Sequence, residues 1–92
     1  MIKVKFSSNG KLREALNGDI EVAVEATALT LHEAIRIVGD RLQGEQRTLL
    51  LDDEKETIQE HILLAVNDEM VTDNESLQDG DHIRVLMPMA GG

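Results

Sequence analysis

Around Leu29–Leu31 the apolar residues change their period, and that change limits the folds open to this chain. Before it, "MIKVKF" alternates Ile2, Val4 and Phe6 with Lys3 and Lys5. "DIEVAVEA" alternates Ile20, Val22 and Val24 with Glu21, Ala23 and Glu25. Period two makes each run a half-buried strand. After it, "TLHEAIRIVGDRLQG" sets Leu31, Ala34, Ile35, Val38 and Leu42 on one helical stripe. Thr30 followed by Glu33 forms a capping box, which fixes where that helix starts. Gly44 suits the residue just past its end. Gly39, inside it, marks close packing or a late kink. A chain of 92 residues with one such helix has one core, in which the stripe packs on a sheet.

The remaining segments complete the sheet. "SSNGKLREALNG" reads as a loop with a helical turn around Leu12–Leu16, joining two strands of a hairpin. Thr48–Leu51 is a short extended or helical piece, and Asp52–Glu60 an exposed acidic loop. Ile62–Val66 is a strand, apolar on both faces as a strand inside a sheet would be. Asn67-Asp68 turns it into a short strand near Met70–Val71. After a loop and an Asp79-Gly80 turn, "HIRVLMP" is the last strand. The order strand, strand, helix, strand, short strand, strand is that of an α+β, β-grasp (ubiquitin-like) domain, with a mixed sheet of four to five strands on one main helix. Ile2, Val4, Phe6, Val22, Val24, Leu31, Ile35, Val38, Leu42 and Val85 are the expected core.

Composition closes several routes to function. Net charge is −9 and Phe6 is the one aromatic residue, which disfavours nucleic acid and anionic membranes and suits a partner with a basic surface. No cysteine is present, so disulfides, thiolate catalysis and zinc–thiolate sites are excluded. With no signal-peptide pattern and no long apolar run, the expected location is cytoplasmic. His32, His61 and His82 fall in separate elements without ligand spacing, so no metal site is expected. No phosphate-binding glycine motif occurs, and nothing around Ser7, Ser8 or Ser76 would activate a nucleophile. No self-contained active site is legible.

The ending "RVLMPMAGG" is the exception. Pro88 lacks an amide hydrogen and helps end the last strand. Residues 1–88 form the expected domain, and 89–92 a flexible tail. A carboxylate on Gly91-Gly92 has no side chain beside it and would thread a narrow active site. The stretch 61–92 resembles the C-terminal third of the MoaD/ThiS family of sulfur carriers. The resemblance rests on the strand into Val66-Asn67, the Leu77…Asp79-Gly80-Asp81 turn, the strand into Pro88, Ala90-Gly91-Gly92, and "TLHEAI" at 30–35. Met89 departs from it, since a smaller residue is common there.

The resemblance implies a chemistry. An ATP-using adenylating enzyme activates the Gly92 carboxylate, a persulfide sulfur donor displaces AMP, and the resulting thiocarboxylate donates its sulfur. Ala90 and Gly91 would thread the partner's tunnel. No cofactor is bound by the carrier itself. The P-x-A-G-G ending and the length favour the small subunit of molybdopterin synthase, whose large subunit would accept the sulfur. Carriers for thiamine, cysteine or tRNA thiolation and lysine-conjugated modifiers are the alternatives, as is a plain β-grasp interaction domain. Two or more of Leu64, Val66, Leu86 and Met87 are expected to form a docking patch on the sheet face opposite the helix. Alternatively, the loop 45–60 covers that face.

Overall fold

The computed structural model describes residues 1–52, 54–55, 57–72 and 74–87. Strand β1 (Ile2–Ser7) pairs antiparallel with β2 (Ile20–Val24), Val4 opposite Val22 and Phe6 opposite Ile20. The loop between them holds more helix than its turn-forming residues suggest: α1 spans Gly10–Leu16 and buries Leu12 completely. Strand β3 (Leu29–Thr30) leads into α2 (Leu31–Gly39). The Thr30 hydroxyl accepts from Glu33 N–H at 3.2 Å, and the Glu33 carboxylate accepts from Thr30 N–H at 3.0 Å. The capping box is therefore present as read from the sequence.

The helix is shorter than its stripe. It stops at Gly39, and Leu42 reaches the core from the turn that follows. A Cβ on Gly39 would lie 2.5 Å from Leu51 Cδ1, so glycine here admits a neighbouring segment. That segment comprises α3 (Glu45–Thr48), β4 (Leu51–Asp52) and β5 (Thr57–Ile58), with Leu51 opposite Ile58. Leu50, Leu51 and Ile58 join the main core. Of the stretch 52–60 read as an exposed loop, Ile58 is thus buried in the core.

The C-terminal half is β6 (Leu63–Val66), β7 (Glu69–Met70), β8 (Ser76–Leu77) and β9 (His82–Leu86). The main sheet has five strands in the order β2-β1-β9-β6-β7. The first and last strands lie side by side and parallel, Phe6 opposite Ile83, while the other pairs in the sheet are antiparallel. A parallel pair requires a crossover, and the chain between β1 and β9 supplies it through α2. β3 and β8 form a separate ribbon, Leu29 opposite Leu77. Asn67 and Asp68 take positive φ of 53° and 70° at the β6–β7 turn, as their residue types allow.

Nine of the ten expected core residues are buried. Val24 is the correction: it lies at the far end of the edge strand β2, only partly covered.

Candidate functional site

The two faces of the sheet follow from the β6–β9 register. Leu64 stands opposite Val85 and Val66 opposite Ile83. Val85 and Ile83 are fully buried, so Leu64 and Val66 face α2 with them and are only 8% exposed. This corrects the expectation that Leu64 and Val66 belong to an outer patch. The outward residue of that run is Leu63, 54% exposed, directly opposite Leu86, 40% exposed. Met70 is also exposed, and Ala65 stands in register between Met70 and Arg84. Leu86 is therefore an outward residue as expected, while Met87 is half-buried against the core. Segment 45–60 packs against α2 and leaves Leu63 and Leu86 open, so it does not cover this face.

Beside the apolar pair the outer face is charged. Lys3, Lys5 and Arg84 are exposed, and His82 lies opposite Lys5. Glu21 stands opposite Lys5 on the same face, so the outer face carries charges of both signs. Arg84 Nε lies 3.5 Å from Asp68 Oδ1, an exposed pair of little energetic weight.

The turn residues that carried the family resemblance form a hydrogen-bonded lock. Asp81 Oδ1 accepts from Asn67 Nδ2 at 2.9 Å, and Asp81 Oδ2 accepts from Gln78 N–H at 2.8 Å. Asn67 Oδ1 accepts from His82 N–H at 3.0 Å, and Asn67 N–H donates to the His82 carbonyl at 2.9 Å. Asp79 Oδ1 accepts from Lys3 N–H at 2.8 Å, and Gly80 N–H donates to the Lys3 carbonyl at 2.7 Å. Asn67, Asp79 and Asp81 therefore hold the 78–81 turn to β1 and to the β6–β7 hairpin.

Sequence reasoning missed a polar cluster at the end of β1. Ser7 Oγ and His82 Nε2 are 2.6 Å apart, and Arg13 donates to Asp19 Oδ1 at 2.7 Å. Loss of hydration works to raise the Asp19 carboxyl. The Arg13 guanidinium, with Ser7 and His82 nearby, outweighs this and holds it below the ordinary carboxylate value. These side chains, with Ser8, Arg84 and Leu86, line a depression of about 190 Å³. Asp19 lies on the serine and arginine side, so the cluster lacks the order in which a carboxylate orients a histidine that activates a serine. The signal for it was the pairing of Ser7 and His82 near adjacent strand ends, which becomes visible only once β1 and β9 are known to be neighbours.

Gly92, Gly91 and Ala90, the expected reactive terminus and threading residues, lie outside the described residues, as does the expected boundary at 88. Among the described residues, no group of three His, Cys, Asp or Glu side chains is arranged to hold a metal, and no helix is long and apolar enough to cross a membrane.

The fold has close counterparts. The crystal structure of SAMP1, a small archaeal modifier protein from Haloferax volcanii, superposes with a TM-score of 0.84 at 18% identity, covering 98% of this chain and 99% of that one. A Pyrococcus furiosus chain given as a candidate molybdopterin converting factor, subunit 1, reaches 0.74 at 21% identity, covering 97% and 100%. The BexX/CysO complex of Amycolatopsis orientalis contains a chain that reaches 0.70 at 29% identity, covering 97% and 99%. No curated protein matches the chain by sequence. The family model of the ThiS family matches residues 7–92, which takes in nearly the whole domain and the Ala90-Gly91-Gly92 ending. The chain belongs to the ThiS family of ubiquitin-like sulfur carriers.

Proposed function

We propose that this protein is a cytoplasmic sulfur carrier whose working group is the Gly92 carboxylate. The observation that supports this most is the family match, which runs through Gly92. In the proposed cycle a Gly92 carboxylate oxygen attacks the α-phosphorus of ATP on an adenylating enzyme, and pyrophosphate leaves. A persulfide sulfur then attacks the acyl carbon and AMP leaves. A second thiol reduces the resulting acyl disulfide and frees the thiocarboxylate. Each step answers a chemical need: the carboxylate is inert, the acyl-adenylate is electrophilic, and the thiocarboxylate is a sulfur nucleophile. The sulfur rides on the backbone end, and the chain itself needs no cysteine.

The acceptor we favour is the large subunit of a molybdopterin synthase, on the P-x-A-G-G ending and the chain length. A second reading has one observation behind it. The CysO-containing complex gives the higher identity, 29% against 21%, which supports a carrier that assembles with a partner other than a molybdopterin synthase, as CysO does with BexX. In either case the partner would dock on the outer sheet face, with Leu63 and Leu86 at the centre.

Intact-mass spectrometry tests the reading. After incubation with adenylating enzyme, ATP, a persulfide donor and a thiol, the protein should gain about 16 Da, oxygen exchanged for sulfur. Addition of a molybdopterin synthase large subunit with its pterin precursor should then return the mass to its starting value. Retention of the sulfur in that step would favour the other pathways. No gain of mass at all would count against sulfur carriage.

A further inference from the structure

The side chain of Asn9 holds the backbone of Met87 at two points. Asn9 Oδ1 accepts from Met87 N–H at 2.8 Å, and Asn9 Nδ2 donates to the Met87 carbonyl at 3.1 Å. The residues are 78 apart in sequence. Asn9 stands at the N-cap of α1 with extended backbone, where asparagine ordinarily accepts from amides of the first turn. Here it makes no side-chain cap bond, and both ends of its amide go to Met87. Gly10, the first residue of α1, takes φ +58°, a left-handed step that glycine allows.

The position of Met87 explains what this pair achieves. The β6–β9 ladder ends at Leu63 opposite Leu86, and the β1–β9 ladder at Ser7 opposite Arg84. Met87 lies one residue past the first ladder and three past the second. The Asn9 amide presents one acceptor and one donor, as a neighbouring strand would, and holds β9 at Met87 beyond the end of its ladder with β1. Pro88 follows and has no N–H, so Met87 is the last residue before it that can be held through its own amide. Residues 88–92 span at most about 17 Å when extended. The point at which Met87 is held therefore bounds how far from the domain Gly92 can reach.

We propose that Asn9 is a positioning residue: it fixes the direction in which the chain leaves Met87 and so presents the Gly92 carboxylate for adenylation. This role rests on the carrier reading above.

Three variants and two readouts test it, on the full-length protein with adenylating enzyme and ATP. Asn9→Ala removes both bonds. Asn9→Ser is too short to bridge Met87 but is a good helix N-cap. Asn9→Asp keeps the acceptor and loses the donor. In ATP–pyrophosphate exchange, Asn9→Ala and Asn9→Ser should lower kcat by about fivefold or more, since orientation contributes to rate, while KM stays within about twofold because the docking face is untouched. Asn9→Asp should fall between them and wild type. Amide exchange at Met87 should quicken in Asn9→Ala and Asn9→Ser. A purely structural role in capping α1 predicts the opposite for Asn9→Ser, which would then match wild type. Wild-type kcat in Asn9→Ser, or in Asn9→Ala with a deprotected Met87 amide, overturns the proposal while leaving the carrier reading intact. Should Asn9→Ala fail to fold, wild-type kcat in both Asn9→Ser and Asn9→Asp overturns it. If wild type itself supports no exchange, the carrier reading falls, and the role of Asn9 falls with it.

Discussion

Asn67 and Asp81 meet side chain to side chain at 2.9 Å, and between them they join the β6–β7 hairpin, the 78–81 turn and the start of β9. Both residues belong to the motif by which the family is legible in the sequence. Their bonds are internal to the fold, so these two positions mark the scaffold of the carrier rather than its chemistry.

Asp81→Ala removes the acceptor for Asn67 and for the Gln78 amide. It should cost about 1–2 kcal/mol, which for a domain of this size lowers Tm by roughly 4–16 °C. Thermal unfolding checks this. Sulfur loading below the lowered Tm should be unchanged, because Asp81 has no part in it.

Gly39 and Leu51 give a sharper packing test. Alanine at 39 would gain up to about 1 kcal/mol of helix propensity, and its Cβ would press on the buried Leu51 side chain at a cost of about 1–3 kcal/mol. The net should be destabilising. In a Leu51→Ala background the same change should become neutral or stabilising, since its obstacle is gone. A double-mutant cycle by denaturant unfolding measures that coupling.

Asp19 predicts a pH dependence. Its folded value lies below the ordinary 3.8, so its contribution to stability is complete above 3.8 and is lost as pH falls through the lower folded value. Asp19→Asn should therefore be less stable than wild type at neutral pH, and the gap should close in acid below that window. The group is exposed and screened, so the gap should also shrink with added salt. Urea unfolding at several pH values and salt concentrations measures it.

The docking face separates surface from core. Leu63→Glu and Leu86→Glu should stay folded, within about 0.5–1 kcal/mol of wild type, and should weaken binding to adenylating enzyme or acceptor by about tenfold or more. Leu64→Glu, one residue along, puts a charge in the core and should unfold the protein. Calorimetry and binding isotherms together distinguish the two. Unimpaired binding by both surface variants would place docking elsewhere.

The long periodic elements were legible because period and capping are local. β1, β2 and the start of α2 were read correctly from alternation and from Thr30 and Glu33. Leu12, Leu29, Leu50, Leu51 and Leu77 were not, although all are buried. They sit in pieces too short to show a period, and only tertiary packing reveals their faces. The run "ILLAV" hid its orientation for another reason. When every residue is apolar, parity carries no information, and the register against β9 decides that Leu63 faces out and Leu64 in. Asn9 reads in sequence as an ordinary turn or cap residue; its partner is at the other end of the chain. The glycine ending was legible from motif alone, and it lies outside the described residues.

ATP–pyrophosphate exchange, with wild type beside a Gly92-deleted chain, tests the central claim most directly, because adenylation of that carboxylate is its first chemical step. Wild type should support exchange with its adenylating enzyme, and the deleted chain should support none while melting at the same temperature. Undiminished exchange by the deleted chain, or none by wild type with a competent enzyme, would contradict the assignment of Gly92 as the working group.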